Sequence, residues 1–426
     1  MQVTSRKVVI SILVFAFFLL IHPSLAPAIE LTRNLAVGSR GSDVVLLQSR
    51  LAELGYLSIK PTGYFGWLTY QAVVRFEKAW GLYPDGVVTQ KEWRLLFPQT
   101  ASRQLPVRSG KKVIFGYYPV DYPGDKAAYR SLASFGQYLS AIGIFCLSLG
   151  DQGDLRGTLP SEGVALANRY GVKSLLVVHN YRNGSFDRQL VHNLLNSEWV
   201  QNRFVGNVLQ LLKTNGLSGL NIDLENVPPG DRNQLNLFLA RLAAALKPAG
   251  YSFIVTVPAK TGDDPQNSWN GAFDYQFISQ VCDYIVLMTY DEHWLGSSPG
   301  PVASLPWVTK VLDFAIRYVP KEKILLGIPT YGYDWSARGT KVVRWNQVNQ
   351  LINQYGWDKV YWDDVACVPS LRYWDAAGVQ HEVWFENQYS LKIKLALVKN
   401  YGLAGISIWR LGFEDAVFWE TVQSRL

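Results

Sequence analysis

Three cysteines in 426 residues are too few, and odd in number, for a disulfide framework. Cys146 in "IFCLSL" and Cys282 in "QVCDYIVLM" lie in strand-like apolar runs, where a thiol behaves as a small buried hydrophobe. The five histidines, His22, His179, His192, His293 and His381, show no metal-ligand spacing, and the chain has no phosphate-binding glycine loop. No metal or other cofactor is therefore expected. Charge is also sparse, at 18% of residues against 48% hydrophobic, which excludes a disordered chain and provides for a sizeable core. The net charge of +7 is too small and too dispersed to argue for nucleic acid, but it suits an anionic surface such as a bacterial wall. What the chain does have is aromatic residues, 15 Trp and 23 Tyr, many in loops or at the ends of apolar runs. Flat apolar faces with polar handles suit sugar rings, and equally suit ordinary cores.

The N-terminus reads "MQVTSRKVVISILVFAFFLLIHPSLAPAIE". Arg6 and Lys7 precede a 14-residue apolar run, Val8 to Ile21, and Ala26-Pro27-Ala28 offers small residues at the spacing of a cleavage site. Residues 1–28 are expected to be a signal peptide; an uncleaved anchor is the alternative, although a span needs about 20 residues. No later segment is long and apolar enough to cross a bilayer. Cleavage would remove two basic groups and leave a net charge of +5 on a secreted protein.

Residues 35–97 form a small unit. Val44, Leu47 and Leu51, then Ala72, Val73 and Phe76, recur at helical spacing, and Gly55, Gly63, Gly81 and Gly86 punctuate the turns. Thr69 or a neighbour is a candidate cap for the second helix. A compact three-helix module is expected. Its pattern of Gly38, Gly41, Val44, Leu47, Gln48 and Leu51, followed by Gly63, Gly66, Thr69, Ala72, Val73 and Phe76 and then Gly81, Asp85 and Gly86, resembles the type 1 peptidoglycan-binding domain family. Most of these are turn and core positions, so the likeness identifies a fold more than a set of ligand contacts. Residues 98–111, polar with two prolines, read as a linker.

From 112 to 426 the pattern changes to short apolar runs separated by helical stretches: 112–118, 140–149, 173–181, 218–225, 252–259, 283–291, 323–333 and 403–412. Eight β units alternating with helices over about 300 residues predict a (β/α)8 barrel. The long interval of about 334–390 reads as an inserted α+β subdomain between strands 7 and 8, forming one wall of a cleft.

The run "GLSGLNIDLENV", 216–227, carries the chemistry. As a strand it places Leu220, Ile222 and Leu224 on one side and Asn221, Asp223 and Glu225 on the other. Two carboxylate positions about 6–7 Å apart are near enough for each charge to oppose ionisation of its neighbour. A half-exposed strand with a wet face is the plain alternative. In a barrel, however, the C-terminal ends of strands surround the active site, which favours an acid pair poised for catalysis.

Ser218-Gly219-Leu220-Asn221-Ile222-Asp223-Leu224-Glu225 resembles the D-G-x-D-x-D-x-E motif of glycoside hydrolase family 18. "MTYD", Met288 to Asp291, "GIPTYGYDW" and Trp409 in "GISIWRLG" match further family motifs over about residues 112–420. The variants "NIDLENV", "YDEH" and "VWFEN" are most similar to its bacterial cell-wall and spore-germination subgroup. The resemblance implies Glu225 as general acid and then base, with the substrate's 2-acetamido oxygen as nucleophile, the substrate-assisted exception among retaining glycosidases. It implies Asp223 holding the acetamide N–H, Tyr290 its carbonyl, Asp291 a sugar hydroxyl or the linkage region, and Trp409 an apolar floor, with Asn221 and Tyr117 completing the substrate-binding set. Ser218 and Asn221 stand where the family has aspartates, and "VVHNY" stands in place of its S-x-G-G. Asn221 is expected to hydrogen-bond Asp223 and to alter the pH profile. The expected partner is peptidoglycan or a related N-acetylglucosamine polymer, acted on by a monomer; chitin oligomers, a non-catalytic glycan-binding protein and a structural coat protein are the rivals.

Overall fold

The computed structural model describes residues 31–79, 82–97, 105 and 112–426. The expected signal peptide, nearly all of the linker and Gly81 lie outside the described residues.

Eight parallel strands close into a barrel: β1 (Val113–Pro119), β2 (Ala141–Leu149), β3 (Lys173–His179), β4 (Gly219–Asp223), β5 (Ser252–Pro258), β6 (Tyr284–Met288), β7 (Ile324–Pro329) and β8 (Gly405–Trp409). Neighbours pair in chain order, and β1 pairs with both β2 and β8, so this sheet closes on itself. The near-continuous apolar runs follow from burial on both faces. Phe115, Tyr117, Leu175, Val177, Ile254, Val286 and Leu325 fill the interior, whereas Leu220 and Ile222 pack with the surrounding helices. Those helices start where short polar side chains accept from backbone N–H groups: Asp187, Ser197, Asp274, Ser304 and Asp415 each cap one.

The insertion is a five-stranded antiparallel sheet, Tyr331–Ser336, Gly339–Arg344, Val360–Asp363, Val368–Trp374 and Gln380–Trp384, with the helix Trp345–Tyr355 packed on it. It begins earlier than the sequence suggests. The run expected as one strand to residue 333 breaks at Thr330, whose N–H donates to Trp409 O, whose carbonyl accepts from Trp345 N, and whose hydroxyl donates to Arg410 O. These bonds fix the chain at the end of β8 and redirect it into the second sheet.

The small unit holds α1 (Ser42–Glu53), α2 (Trp67–Ala79) and α3 (Gln90–Leu96). Gln48, fully buried, fastens its loops: Nε2 donates to Tyr64 O and Thr69 Oγ1 at 2.9 and 2.8 Å, and Oε1 accepts from Thr62 N and Gly63 N at 2.7 and 3.0 Å. Thr69 is therefore inside the first turn of α2 as an acceptor for Gln48, not the cap before it. The cap that does form is Thr89, with Glu92 completing a capping box on α3. α1 rests against the barrel helix Arg232–Leu246.

Candidate active site

β4 ends at Asp223, two residues short of the expected end, so Glu225 sits on the loop just beyond the barrel rim. Two asparagines hold that loop. Fully buried Asn180, directly after β3, accepts from Glu225 N at 2.9 Å through Oδ1 and donates to Glu225 O at 2.9 Å through Nδ2. Asn226 adopts a left-handed backbone (φ 54°), accepts from Arg188 and donates to Phe186 O. The backbone of Glu225 is thus pinned on both sides, which limits where its carboxyl can swing.

Asp223 is 4% exposed, and its Oδ1 has no hydrogen-bond partner among the described residues. Glu225 is half-buried, crowded by neighbours yet open to solvent at the mouth. Burial raises the pKa of both acids; for Glu225 the charges of Asp223 and Asp291 add to the effect. Such a pair can retain a proton near neutral pH, the requirement for an acid catalyst.

Around it the other expected residues gather unevenly. Tyr290 lies against β7, where a Cβ at Gly327 would come within 2.8 Å of its ring, so only glycine admits it. Asp291 stands exposed at the mouth with φ 61°, its Oδ1 accepting from Tyr331 and Tyr333 hydroxyls at 2.5 and 2.8 Å. Crowding of its carboxylate raises its pKa, and the two tyrosines partly offset that. Trp409 is half-buried, edge-on to Tyr117 and Phe145 at 5.2 and 4.9 Å.

Asn221 and Tyr117 lie one layer deeper, both fully buried. Asn221 Nδ2 donates to Thr256 Oγ1 at 2.9 Å, and the Tyr117 hydroxyl lies 2.6 Å from the same oxygen. The expected Asn221–Asp223 hydrogen bond is absent among the described contacts, because Thr256 on β5 takes the amide instead. These two residues support the barrel floor beneath the acids.

Sequence reasoning missed Asn180, Tyr331, Tyr333 and the neighbourhood of His179. His179 pairs in register with Asp223, stacks on Phe145 at 4.2 Å and accepts from Tyr181 N through Nδ1. Burial drops its pKa to about 4, so it is neutral at working pH with its proton on Nε2. His179 and Asn180 both lie in "VVHNY", the segment that departs from the family motif.

An eight-stranded barrel with paired acids at the C-terminal rim defines a barrel glycosidase by class. The chain belongs to glycosyl hydrolases family 18, whose sequence profile matches residues 113–414, and a peptidoglycan binding domain profile matches residues 40–96. It is 32% identical over 305 residues to the uncharacterized glycosylase YvbX of Bacillus subtilis (strain 168), covering 70% of this chain and 88% of that one. The spore cortex-lytic enzyme SleL of Bacillus cereus superposes with a TM-score of 0.70 at 28% identity, over 75% of this chain and 76% of that one. A chitinase from Chromobacterium violaceum gives 0.69 at 32% identity, over 74% of this chain and 98% of that one.

Proposed function

We propose that this chain is a secreted cell-wall glycosidase that cleaves β-1,4 linkages next to N-acetylglucosamine in peptidoglycan, in vegetative wall or spore cortex, with retention through the substrate's own acetamide. Residues 35–97 tether the barrel of residues 112–426 to the wall, raising local substrate concentration without new contacts at the active site. It acts as a monomer.

Glu225 protonates the glycosidic oxygen and then activates water; Asp223 orients the acetamide N–H and offsets the oxazolinium charge; Tyr290 holds the acetamide carbonyl; Asp291 reaches a sugar hydroxyl; Trp409 supports the ring. The observation that carries this reading is the unpartnered, buried Oδ1 of Asp223 beside the raised, solvent-reachable acid Glu225. An acceptor desolvated without a protein donor is costly unless a ligand N–H completes it.

Glu225→Gln is expected to abolish release of reducing sugar from purified wall while wall binding persists. No release by either wild type or variant on any wall substrate, with wall binding retained, would instead indicate a glycan-binding protein. The similarity to a chitinase favours chitin oligomers as the second reading. Mass spectrometry of fragments from intact sacculi, cortex and chitin oligomers separates the two.

A further inference from the structure

Beside the acid pair, between the insertion and the end of β8, the cleft opens into a cavity of about 420 Å³. Asp291 and Trp409 form its inner edge, and Arg344, Gln347, Arg410 and Phe413 its outer wall. Its volume is that of a small-ligand site.

The two arginines differ in one respect. Arg410 is 8% exposed and spends both terminal nitrogens on Asp121, at 2.8 and 2.7 Å. Arg344 is exposed and has no ion-pair partner among the described residues. Both guanidiniums lie over the ring of Phe413, Arg410 at 4.5 Å and Arg344 at 4.7 Å, which fixes Arg344 on an aromatic platform at the cavity wall. The helix Trp345–Tyr355 begins at the next residue, so its positive end adds to the same side. The one acidic lining residue, Asp291, has an oxygen occupied by two tyrosine hydroxyls. A pre-positioned, unneutralised guanidinium beside a glycan cleft recognises a planar anion, and a carboxylate is its bidentate match.

We propose that Arg344 is a specificity-determining residue that binds a carboxylate carried by the substrate, either the free lactyl ether carboxylate of a muramyl sugar or a carboxylate of its attached peptide. This rests on the peptidoglycan reading above and deepens it: chitin carries no such group, so the cavity selects wall glycan over chitin.

The test compares kcat/KM of wild type, Arg344→Ala and Arg344→Lys on three substrates: a muramyl-containing oligosaccharide with free lactyl carboxylates, the same glycan with its peptides, and a neutral N-acetylglucosamine oligomer. In Arg344→Ala the ratio of acidic to neutral kcat/KM is expected to fall about 10- to 100-fold, through KM, with partial recovery in Arg344→Lys. The acidic substrate that shows the fall identifies the carboxylate bound. A second measurement needs no change at Arg344. Binding of Glu225→Gln to intact glycan is expected to exceed binding to glycan whose carboxylates have been reduced to alcohols by a similar factor. A wild type that cleaves muramyl glycan, with an unchanged ratio or equal binding, overturns the role of Arg344 alone. A wild type that cleaves only the neutral oligomer overturns the peptidoglycan reading and this inference with it.

Discussion

The barrel mouth and the core of the insertion both bury carboxylates, and they treat them in opposite ways. In and beside the insertion two such groups are paired on both oxygens. Asp334 accepts from His381 and Tyr373 at 2.7 and 2.8 Å, and Glu386 receives Lys394 at 2.8 and 2.9 Å, with both of those side chains only 3% exposed. At the mouth, Asp223 has an oxygen with no partner among the described residues, and the pKa of Glu225 is pushed upward by burial and then by its acidic neighbours. A paired carboxylate holds the fold together; an unpaired one leaves its interactions to be completed by substrate, at a cost to stability.

The largest break in this comparison comes from one substitution on each side. Glu225→Gln is expected to lower kcat by about 10²–10⁴-fold, as measured by reducing-sugar release, with the fold retained. Glu386→Ala is expected to do the reverse, leaving Lys394 buried and unpaired. Chemical denaturation should show a loss of about 3–5 kcal/mol, while activity per folded molecule stays near wild type.

A smaller effect is expected from Asn180→Ala, which frees the backbone of Glu225 on both sides. Its kcat should fall about 10- to 100-fold with little change in KM, since the clamp positions the acid and does not touch substrate. An equal loss in stability and in KM would instead mark Asn180 as structural.

The pH dependence sharpens the contrast further. Glu225 must carry its proton to act as acid, so the rate is lost as pH rises through its raised pKa. Removing the charge of Asp223 lowers that pKa, and the alkaline limb of Asp223→Asn should move to lower pH even as its rate falls. The smallest expected effect is on stability. A carboxyl whose folded pKa lies above its unfolded value favours the folded state at low pH, and that contribution is lost as pH rises from the unfolded to the folded pKa. Glu225→Gln should therefore raise the melting temperature more at pH 8 than at pH 4.

The eight barrel strands were legible because each is a local apolar run bounded by turn residues, and Leu220 and Ile222 face outward as alternation dictates. The rim acids were legible from their spacing and motif. The strand break at Thr330 was not, because it depends on bonds to Trp409, Arg410 and Trp345. Thr69 and Asn221 were misread for the same reason: their partners, Gln48 and Thr256, lie 21 and 35 residues away.

By itself the sequence determined the alternation of strands and helices, the separate helical module and the presence of two acids one residue apart, because these follow from the periodicity of neighbouring side chains. Only the tertiary structure decided that Glu225 is held by Asn180 from the adjacent strand end and that, among the described residues, Asp223 keeps an unpaired oxygen and Arg344 stands unneutralised beside the cleft. Each of these depends on which distant groups barrel closure brings, or fails to bring, within hydrogen-bonding reach, and no local pattern records that.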